Sequence, residues 1–193
     1  MPPKCKFTRE QVVEAALAVT RAQGAEAVTA RSVAAGLGAS PKVIFSLFRN
    51  MEELQAEVLR AADSLYRRRI SEGMSSGEYP PYKGSGMAYV RFAREEKQLF
   101  RLLFMRDRSG EAIGEDRESV RPQLELIEKN LGLDEDAAYL FHLEMWLYVH
   151  GIAAMLATSY LDWDMALVSR MLTDGFLGLR LRYEAMKNES KEA

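Results

Sequence analysis

Hydrophobic positions return every three or four residues along almost the whole chain, which is the period of an amphipathic α-helix. Strand signals are nearly absent, because no run alternates Val, Ile or Thr with polar residues and no Asn-Gly hairpin occurs. Neither an internal repeat nor a low-complexity tract interrupts the pattern. The sequence therefore predicts an all-α fold of about nine helices.

The first predicted helix begins at Thr8. Thr8 and Gln11 have the spacing of a capping box, in which each side chain bonds the backbone N–H of the other residue. Phe7 and Val12 flank this start as a hydrophobic staple. Gly24 is placed to end the helix.

Two shorter helices follow. One begins at Thr29 and ends before a tight turn over residues 37–39. The next begins at Ser40, with Pro41 at the first helical position, where a missing N–H costs nothing. It ends near Phe48. Three short capped helices joined by tight turns are the parts of a helix-turn-helix.

The rest of the chain is also predicted to be helical, with two interruptions. A fourth helix, capped by Asn50 and Glu53, runs to about Arg69. Residues 71–86 contain six Gly or Pro residues and predict a loop that acts as a mobile joint. Helical pattern resumes over 87–105, with a break near residues 95–97, and a second loop covers 106–116. Further helices are expected at about 117–131, 134–160 and 163–187. We divide the chain into a helix-turn-helix head over 1–50, a connecting helix over 51–72, and a helical bundle over 87–193.

Charge is distributed unevenly between these segments. The composition, 48% hydrophobic and 28% charged, is that of an ordinary folded domain, and the net charge is only -2. Residues 1–50 nevertheless hold seven basic and three acidic side chains, a net charge of +4, which leaves -6 on the remainder. A basic head on an acidic body is the asymmetry expected if the head alone meets phosphate.

Two further features bear on cellular location. The single cysteine, Cys5, can form neither an internal disulfide nor a cysteine-based metal site. The run from Met145 to Leu161 carries no formal charge but is just shorter than a membrane-spanning helix. A helix buried within protein is the preferred interpretation. We expect a cytoplasmic protein without a membrane partner.

The third helix separates its residues by face. Ile44, Leu47 and Phe48 share an apolar side that should pack on the first two helices. The opposite side combines charge, a hydroxyl group and apolar surface, the mixture that reads base edges and thymine methyl groups in the major groove. That outward side consists of Lys42, Val43, Phe45, Ser46 and Arg49.

Phosphate contacts are expected around this helix. Thr29, and Ser40 with Pro41, open two helices whose N-terminal N–H groups can face phosphate, and Arg31 lies in the first of these turns. Around the start of the first helix, a basic arm is available for the DNA backbone or the minor groove. This arm comprises Lys4, Lys6 and Arg9.

The segment from Thr29 to Leu54, TARSVAAGLGASPKVIFSLFRNMEEL, resembles the DNA-binding region of the TetR family, and the resemblance extends back to Phe7. It implies a three-helix head, a third helix in the major groove of an operator, a homodimer formed by C-terminal helices, and repression relieved by a small ligand. Phe45, Leu47 and Met51 stand where the family commonly has Tyr, His and Lys. The losses at Phe45 and Met51 remove phosphate contacts that typically strengthen binding.

Two later stretches are similar to one subgroup of the same family. They are residues 87–104 and the Trp146-to-Gly151 segment, WLYVHG. Aromatic walls, adaptable methionines and few polar groups suit a mostly apolar ligand, although such a stripe is also common in plain cores. The candidate ligand-binding residues are Tyr89, Phe92, Phe100, Phe104, Met105, His142, Met145, Trp146 and His150.

The last two helices are predicted to dimerise. An apolar stripe on the last helix, with Gly175 permitting close approach, would build a four-helix interface with its copy. Internal packing of the same stripe is the alternative. The stripe consists of Val168, Met171, Leu172, Gly175, Phe176 and Leu179.

An enzyme is the competing class of function. Two histidines eight residues apart, one cysteine and no catalytic motif leave no nucleophile, base and orienting group, so neither catalysis nor a cofactor or metal is expected. A helical dimeric scaffold that has lost DNA binding is the other alternative, because of Phe45 and Met51.

Overall fold

The computed structural model describes residues 7–107, 109 and 117–192, with side chains to residue 189. Over these residues the chain forms nine α-helices, two single-turn 3-10 segments (Ala25–Ala27 and Arg117–Val120) and no strand, which confirms the all-α prediction. The α-helices are α1 (Arg9–Gln23), α2 (Ala30–Gly36), α3 (Lys42–Leu47), α4 (Met51–Ser75), α5 (Pro81–Glu95), α6 (Lys97–Phe104), α7 (Arg121–Leu131), α8 (Glu135–Ala157) and α9 (Met165–Glu192).

The chain divides into two compact units. Unit 1 comprises residues 1–68 and 95–107, and unit 2 comprises residues 69–94 and 108–193. Unit 1 thus holds α1 to α3, most of α4, and α6. Unit 2 holds the last turns of α4 together with α5 and α7 to α9.

The helix starts in unit 1 are fixed by local side-chain caps. Thr8 and Gln11 form the predicted capping box, and Gly24 ends α1 with a φ of 91°. Thr29 caps α2 through a second box, whose other member is Ser32. The Asn50 Oδ1 accepts from the Glu53 backbone N–H at 2.9 Å, as predicted for the start of α4. Each cap satisfies N–H groups that the helix itself leaves unpaired.

The core of unit 1 forms where α1, α2, α3 and α4 converge. Its largest fully buried side chains include Phe48, Ile44 and Leu54, each of which stabilises the fold by about 1.5–3 kcal/mol through apolar burial. Helix α6 adds Leu99 and Phe100. The remaining buried apolar residues of α1 and α2 are Val12, Ala16, Leu17, Val33 and Ala34.

The predicted break after α5 is confirmed at Glu96. Its backbone leaves the helical region (φ −114°, ψ 49°), and α6 begins at the next residue. The Glu96 carboxylate accepts from Arg21 Nε at 3.0 Å, which ties the start of α6 to α1 within unit 1.

The predicted loop over residues 71–86 is wrong in extent. Helix α4 runs on to Ser75 and α5 begins at Pro81, which leaves only residues 76–80 between them. Two of the glycines serve close helix packing instead. A Cβ at Gly73 would lie 2.6 Å from the Ala88 Cβ and 2.7 Å from the Gly84 carbonyl oxygen, and a Cβ at Gly84 would collide with the Gly73 carbonyl. The end of α4 and the start of α5 therefore meet backbone to backbone.

The core of unit 2 is built around α8. Phe141 packs edge-on against Phe176 and Tyr183 of α9, with ring centroids 5.5 and 5.3 Å apart. Such aromatic pairs add about 0.5–1.5 kcal/mol beyond their burial. The other buried apolar side chains include Met87, Val90, Leu124, Ile127, Ile152, Leu156, Val168 and Leu172.

The stripe on α9 that the sequence suggested for dimerisation packs mostly inside the protomer, which corrects that prediction. Val168 and Leu172 are buried, and Phe176 packs on Phe141. A Cβ at Gly175 would lie 3.0 Å from the Tyr148 ring, so this glycine lets α8 approach α9 within one chain. The apolar period of α9 could not identify its buried face, because a second apolar row lies on the exposed face. That row consists of Leu167, Leu177 and Leu181.

Helix α8 is the one helix in the described part of the chain that is long and apolar enough to cross a membrane. Its 23 residues include a window with mean hydropathy 1.3, of which 44% is buried inside the protein. The core helix of a soluble protein passes the same test. Phe141, Ile152 and Leu156 are buried, so α8 is a core helix of unit 2.

We predict that Gly84→Ala lowers the free energy of unfolding by about 1–3 kcal/mol, because the added methyl must separate two backbones. Gly36→Ala is the matched control. Gly36 is also helical but has no atom within 4 Å of the Cβ position, so alanine there should stabilise the protein by about 0.5–1 kcal/mol. Chemical denaturation of both variants measures the difference. Wild-type stability for Gly84→Ala would contradict the close crossing.

Candidate functional site

Helix α3 presents the face that the sequence assigned to DNA. Ile44 and the adjoining Phe48 are buried, whereas Leu47 is only half-buried. On the opposite side the Phe45 ring is 55% exposed. Lys42, Ser46 and Arg49 are also exposed, and Val43 is half-buried. The predicted outward set therefore lies together on one surface of unit 1.

A tight turn over residues 38–41 leads into α3. Gly38 adopts a left-handed conformation (φ 61°) that favours glycine. Ser40 and Pro41 then form a tight first turn, in which Ser40 O accepts from Val43 N at 3.0 Å and Pro41 O from Ile44 N at 3.1 Å. Pro41 immediately precedes α3 rather than being its first residue. Both residues lie on the exposed surface.

Arg9 of α1 holds the C-terminal end of α3. Its Nη1 donates to the Leu47 carbonyl oxygen at 2.6 Å, and its Nη2 lies 2.9 Å from Glu53 Oε1. The guanidinium also lies over the Phe48 ring, 4.2 Å from the centroid. One side chain thus satisfies a terminal helix carbonyl, pairs with a carboxylate and covers a core aromatic ring.

Glu53 accepts hydrogen bonds from both Arg9 and Arg49. Its Oε2 accepts from the Arg49 backbone N–H at 2.7 Å while its Oε1 receives Arg9. The Arg49 backbone bond, followed by the Arg9 side-chain bond, holds the pKa of Glu53 below its usual range. Glu53 is therefore ionised at neutral pH. We call Arg9, Glu53, Phe48 and the Leu47 carbonyl the Arg9 clasp.

The Arg9 clasp changes the interpretation of the predicted basic arm. Arg9 is engaged within unit 1, so it does not extend toward a phosphate as the sequence suggested. Lys4 and Lys6, the other members of that arm, lie outside the described residues. Sequence analysis treated Glu53 only as the capping partner of Asn50 and did not predict its pairing with Arg9.

The start of α2 is exposed but partly occupied. Thr29 and Arg31 both face solvent. The Thr29 hydroxyl accepts from the Ser32 backbone N–H at 3.1 Å, and the Ser32 hydroxyl donates to the Ala27 carbonyl at 2.6 Å. The cap thus uses one of the N–H groups that sequence analysis offered to phosphate.

The predicted ligand-binding residues are divided between the two units. Phe100, Phe104 and Met105 belong to unit 1. There Phe104 packs on Phe100 and, edge-on, on Tyr66 of α4, with ring centroids 5.0 and 5.1 Å apart. The other candidates, Tyr89, Phe92, His142, Met145, Trp146 and His150, belong to unit 2.

Four of the unit 2 candidates, Tyr89, His142, Trp146 and His150, lie along the facing sides of α5 and α8. The Tyr89 hydroxyl and His150 Nδ1 are 2.8 Å apart, and the His150 ring stacks on Trp146 with centroids 5.1 Å apart. A second pair joins the Tyr82 hydroxyl to His142 Nδ1 at 3.2 Å. We call these five residues the polar stripe. Sequence analysis missed Tyr82 because it placed residue 82 in a loop.

Two properties of the polar stripe are unusual for a helix interface. Trp146 Nε1 is buried and has no hydrogen-bond partner among the described residues. An unsatisfied buried donor costs about 1–3 kcal/mol. Burial also lowers the pKa of His150, so this imidazole is neutral at physiological pH. Phe92 and Met145 supply buried apolar surface on the same two helices.

A separate apolar surface covers the outer sides of α8 and α9. Leu147 and Leu181 are 57% and 61% exposed. Gly151 and Gly178 lie on the same sides, with open space around their Cβ positions. The exposed apolar residues of this surface, which we call the outer α8–α9 face, are Leu140, Leu147, Tyr148, Met155, Leu167, Leu177 and Leu181.

Metal binding has no supporting cluster in the described ranges. No group of three or more His, Cys, Asp or Glu side chains there is arranged to hold an ion. The two histidines of the polar stripe instead pair with tyrosines.

Two protein-family models match the chain. Residues 12–58 match the model described as bacterial regulatory proteins of the tetR family, which includes α2, α3 and the start of α4. Residues 83–175 match the model described as a tetracyclin repressor-like C-terminal domain, which includes the polar stripe except Tyr82. No curated protein matches the chain significantly. The two matches together cover well over half of the sequence, and the chain belongs to the TetR family of DNA-binding transcriptional regulators with a C-terminal ligand-binding domain.

Proposed function

We propose that this regulator is a homodimeric repressor that leaves a near-palindromic operator when a mostly apolar small molecule binds unit 2. The observation that carries the DNA-binding half is the exposed face of α3, held by the Arg9 clasp. Helix α3 has only six residues, so its orientation depends on contacts with its neighbours. A helix whose C-terminal end is fixed can hold its outer side chains in one orientation toward the major groove.

Specific roles follow from chemistry at this face. Lys42 supplies positive charge to a phosphate or to guanine, and Arg31 and the Thr29 end of α2 approach the backbone. Phe45 and Val43 offer apolar surface to thymine methyl groups or sugars. Because a recognition helix fills one major-groove segment, two copies would engage half-sites about one helical turn, roughly 34 Å, apart.

The outer α8–α9 face is the surface we assign to dimerisation. A second copy of the chain is the occupant that fits it, because members of this family dimerise through C-terminal helices. Exposed leucines on both helices suit the apolar core of an obligate interface, and the open positions at Gly151 and Gly178 can receive side chains of the partner.

Effector binding is assigned to the space between α5 and α8. An apolar molecule inserted beside the polar stripe would displace α5, whose Gly84 touches Gly73 near the end of α4. Helix α4 runs without a break from Met51 to Ser75, and we propose it as the element through which this displacement reaches α3. The effector weakens operator binding only if it binds the displaced state better than the DNA-bound state.

The experiment that tests this function is selection of the purified protein on a randomised duplex pool at two salt concentrations. We expect a two-fold-symmetric site whose affinity falls steeply with salt. If no site is enriched at low salt, the alternative of a dimeric scaffold that lost DNA binding through Phe45 and Met51 replaces this proposal.

A second prediction separates contact from positioning on that operator. Lys42→Ala should weaken binding at least several-fold and reduce the slope of log affinity against log salt by about 0.9 per lost contact, close to 2 for a dimer. Arg9→Ala should weaken binding and lower thermal stability while leaving the slope unchanged, because its charge faces Glu53.

Arg9→Lys is the control for charge alone. Lysine keeps the positive charge but lacks the planar fork that reaches Leu47 and Glu53 together, so it should not restore affinity. A slope lowered equally by Arg9→Ala and Lys42→Ala would contradict the positioning role of Arg9.

Dimerisation generates a third prediction. The double variant Leu147→Glu/Leu181→Glu should sediment as a monomer at micromolar concentration, because it places charge in the assigned interface. Met105→Glu changes an exposed apolar residue of unit 1 and should leave the dimer intact. A dimeric double variant would move the interface to another surface.

A further inference from the structure

In the polar stripe, Trp146 lies between two tyrosine–histidine pairs along α8. His142, Trp146 and His150 follow one another at four-residue steps on one side of α8. Tyr82 and Tyr89, seven residues apart on α5, face the two histidines. Each tyrosine hydroxyl bonds the Nδ1 of its histidine, so neither Nδ1 is available to the indole. Trp146 stands between these pairs.

Packing alone does not account for a tryptophan at this position. Its ring stacks on His150 at an interplanar angle of 29°, and a phenylalanine would provide an apolar ring without a donor. Burial of Nε1 without an acceptor in the described part of the chain opposes folding. The indole therefore has a donor to offer to a molecule that enters between α5 and α8.

We infer that the effector carries a neutral hydrogen-bond acceptor, a carbonyl-type oxygen on an apolar body, which Trp146 Nε1–H binds. This inference rests on the proposed function, in which unit 2 binds a small molecule. An effector whose polar group only donates hydrogen bonds would leave the indole unsatisfied. A purely hydrocarbon effector would do the same and would gain nothing from the indole N–H.

Charge at the stripe favours a neutral acceptor over a carboxylate. Burial lowers the pKa of His150, which is therefore uncharged at neutral pH. Lys83, next to Tyr82 on α5, directs its ammonium to Thr173 Oγ1 at 2.8 Å and lies over the Tyr79 ring. A carboxylate beside Trp146 would lose its hydration without gaining a cationic partner, because His150 is neutral and the Lys83 ammonium is directed to Thr173.

The test uses the full-length protein carrying Trp163→Phe, which leaves Trp146 as the sole tryptophan. The probes are two isosteric pairs that differ by a carbonyl oxygen in place of a methylene group. They are acetophenone with α-methylstyrene, and cyclohexyl methyl ketone with isopropenylcyclohexane. We expect each ketone to bind about tenfold tighter than its alkene and to move the Trp146 indole proton downfield in ¹⁵N-edited spectra.

A second variant, Trp146→Phe in the same background, keeps a ring but removes the donor. Ligand-observed NMR should then show the ketone preference reduced to less than twofold. Equal binding within each pair, an unmoved indole proton, or a preference that survives without the indole would overturn the inference.

Operator binding is measured on the same two proteins to separate this inference from the proposed function. Retained operator binding without any ketone preference overturns only the assigned effector class. Failure to select an operator with the wild-type protein overturns the proposed function instead.

Discussion

The pairing of Arg9 with Glu53 is the interaction on which the orientation of α3 and its exposed face depends. A six-residue helix has too few internal hydrogen bonds to define its own direction, so α3 takes its direction from its surroundings. Ile44 anchors one side in the core, and Arg9 binds the carbonyl at the other end. Glu53 links Arg9 to the first turn of α4. The Arg9 clasp therefore joins α1, α3 and α4.

The sequence predicted best what is decided locally. The caps at Thr8, Thr29 and Asn50 are each formed within four residues, so spacing was sufficient to find them. Gly73 and Gly84 were misread because glycine serves both turns and close helix contacts, and only a neighbouring helix distinguishes these uses. Pro81 added to the error, since proline suits the first turn of a helix as well as a loop.

Long-range partners explain the other differences. The four-residue spacing of His142, Trp146 and His150 was visible in the sequence, but Tyr82 becomes their neighbour only because α5 begins at Pro81, nearly two turns earlier than predicted. On α9, both Val168 and Leu181 belong to apolar rows. The row with Val168 is the buried one, and Gly175 on the same side lies against Tyr148 of α8, a neighbour that no pattern within α9 identifies. Arg9 was likewise interpreted as part of a basic arm, because its partner Glu53 lies 44 residues further along the chain.

The separation of faces on α3 has a consequence for how operators diverge between relatives of this protein. The side chains that mount the helix, Ile44 and Phe48, are distinct from those that meet solvent, Lys42, Phe45 and Ser46. Substitutions at the second group leave the buried contacts of α3 intact, so under the proposed function new base preferences can accumulate without loss of the fold. Under the proposed function, exchanging these three residues for those of a relative would transfer its operator preference without disturbing the side chains that fix α3.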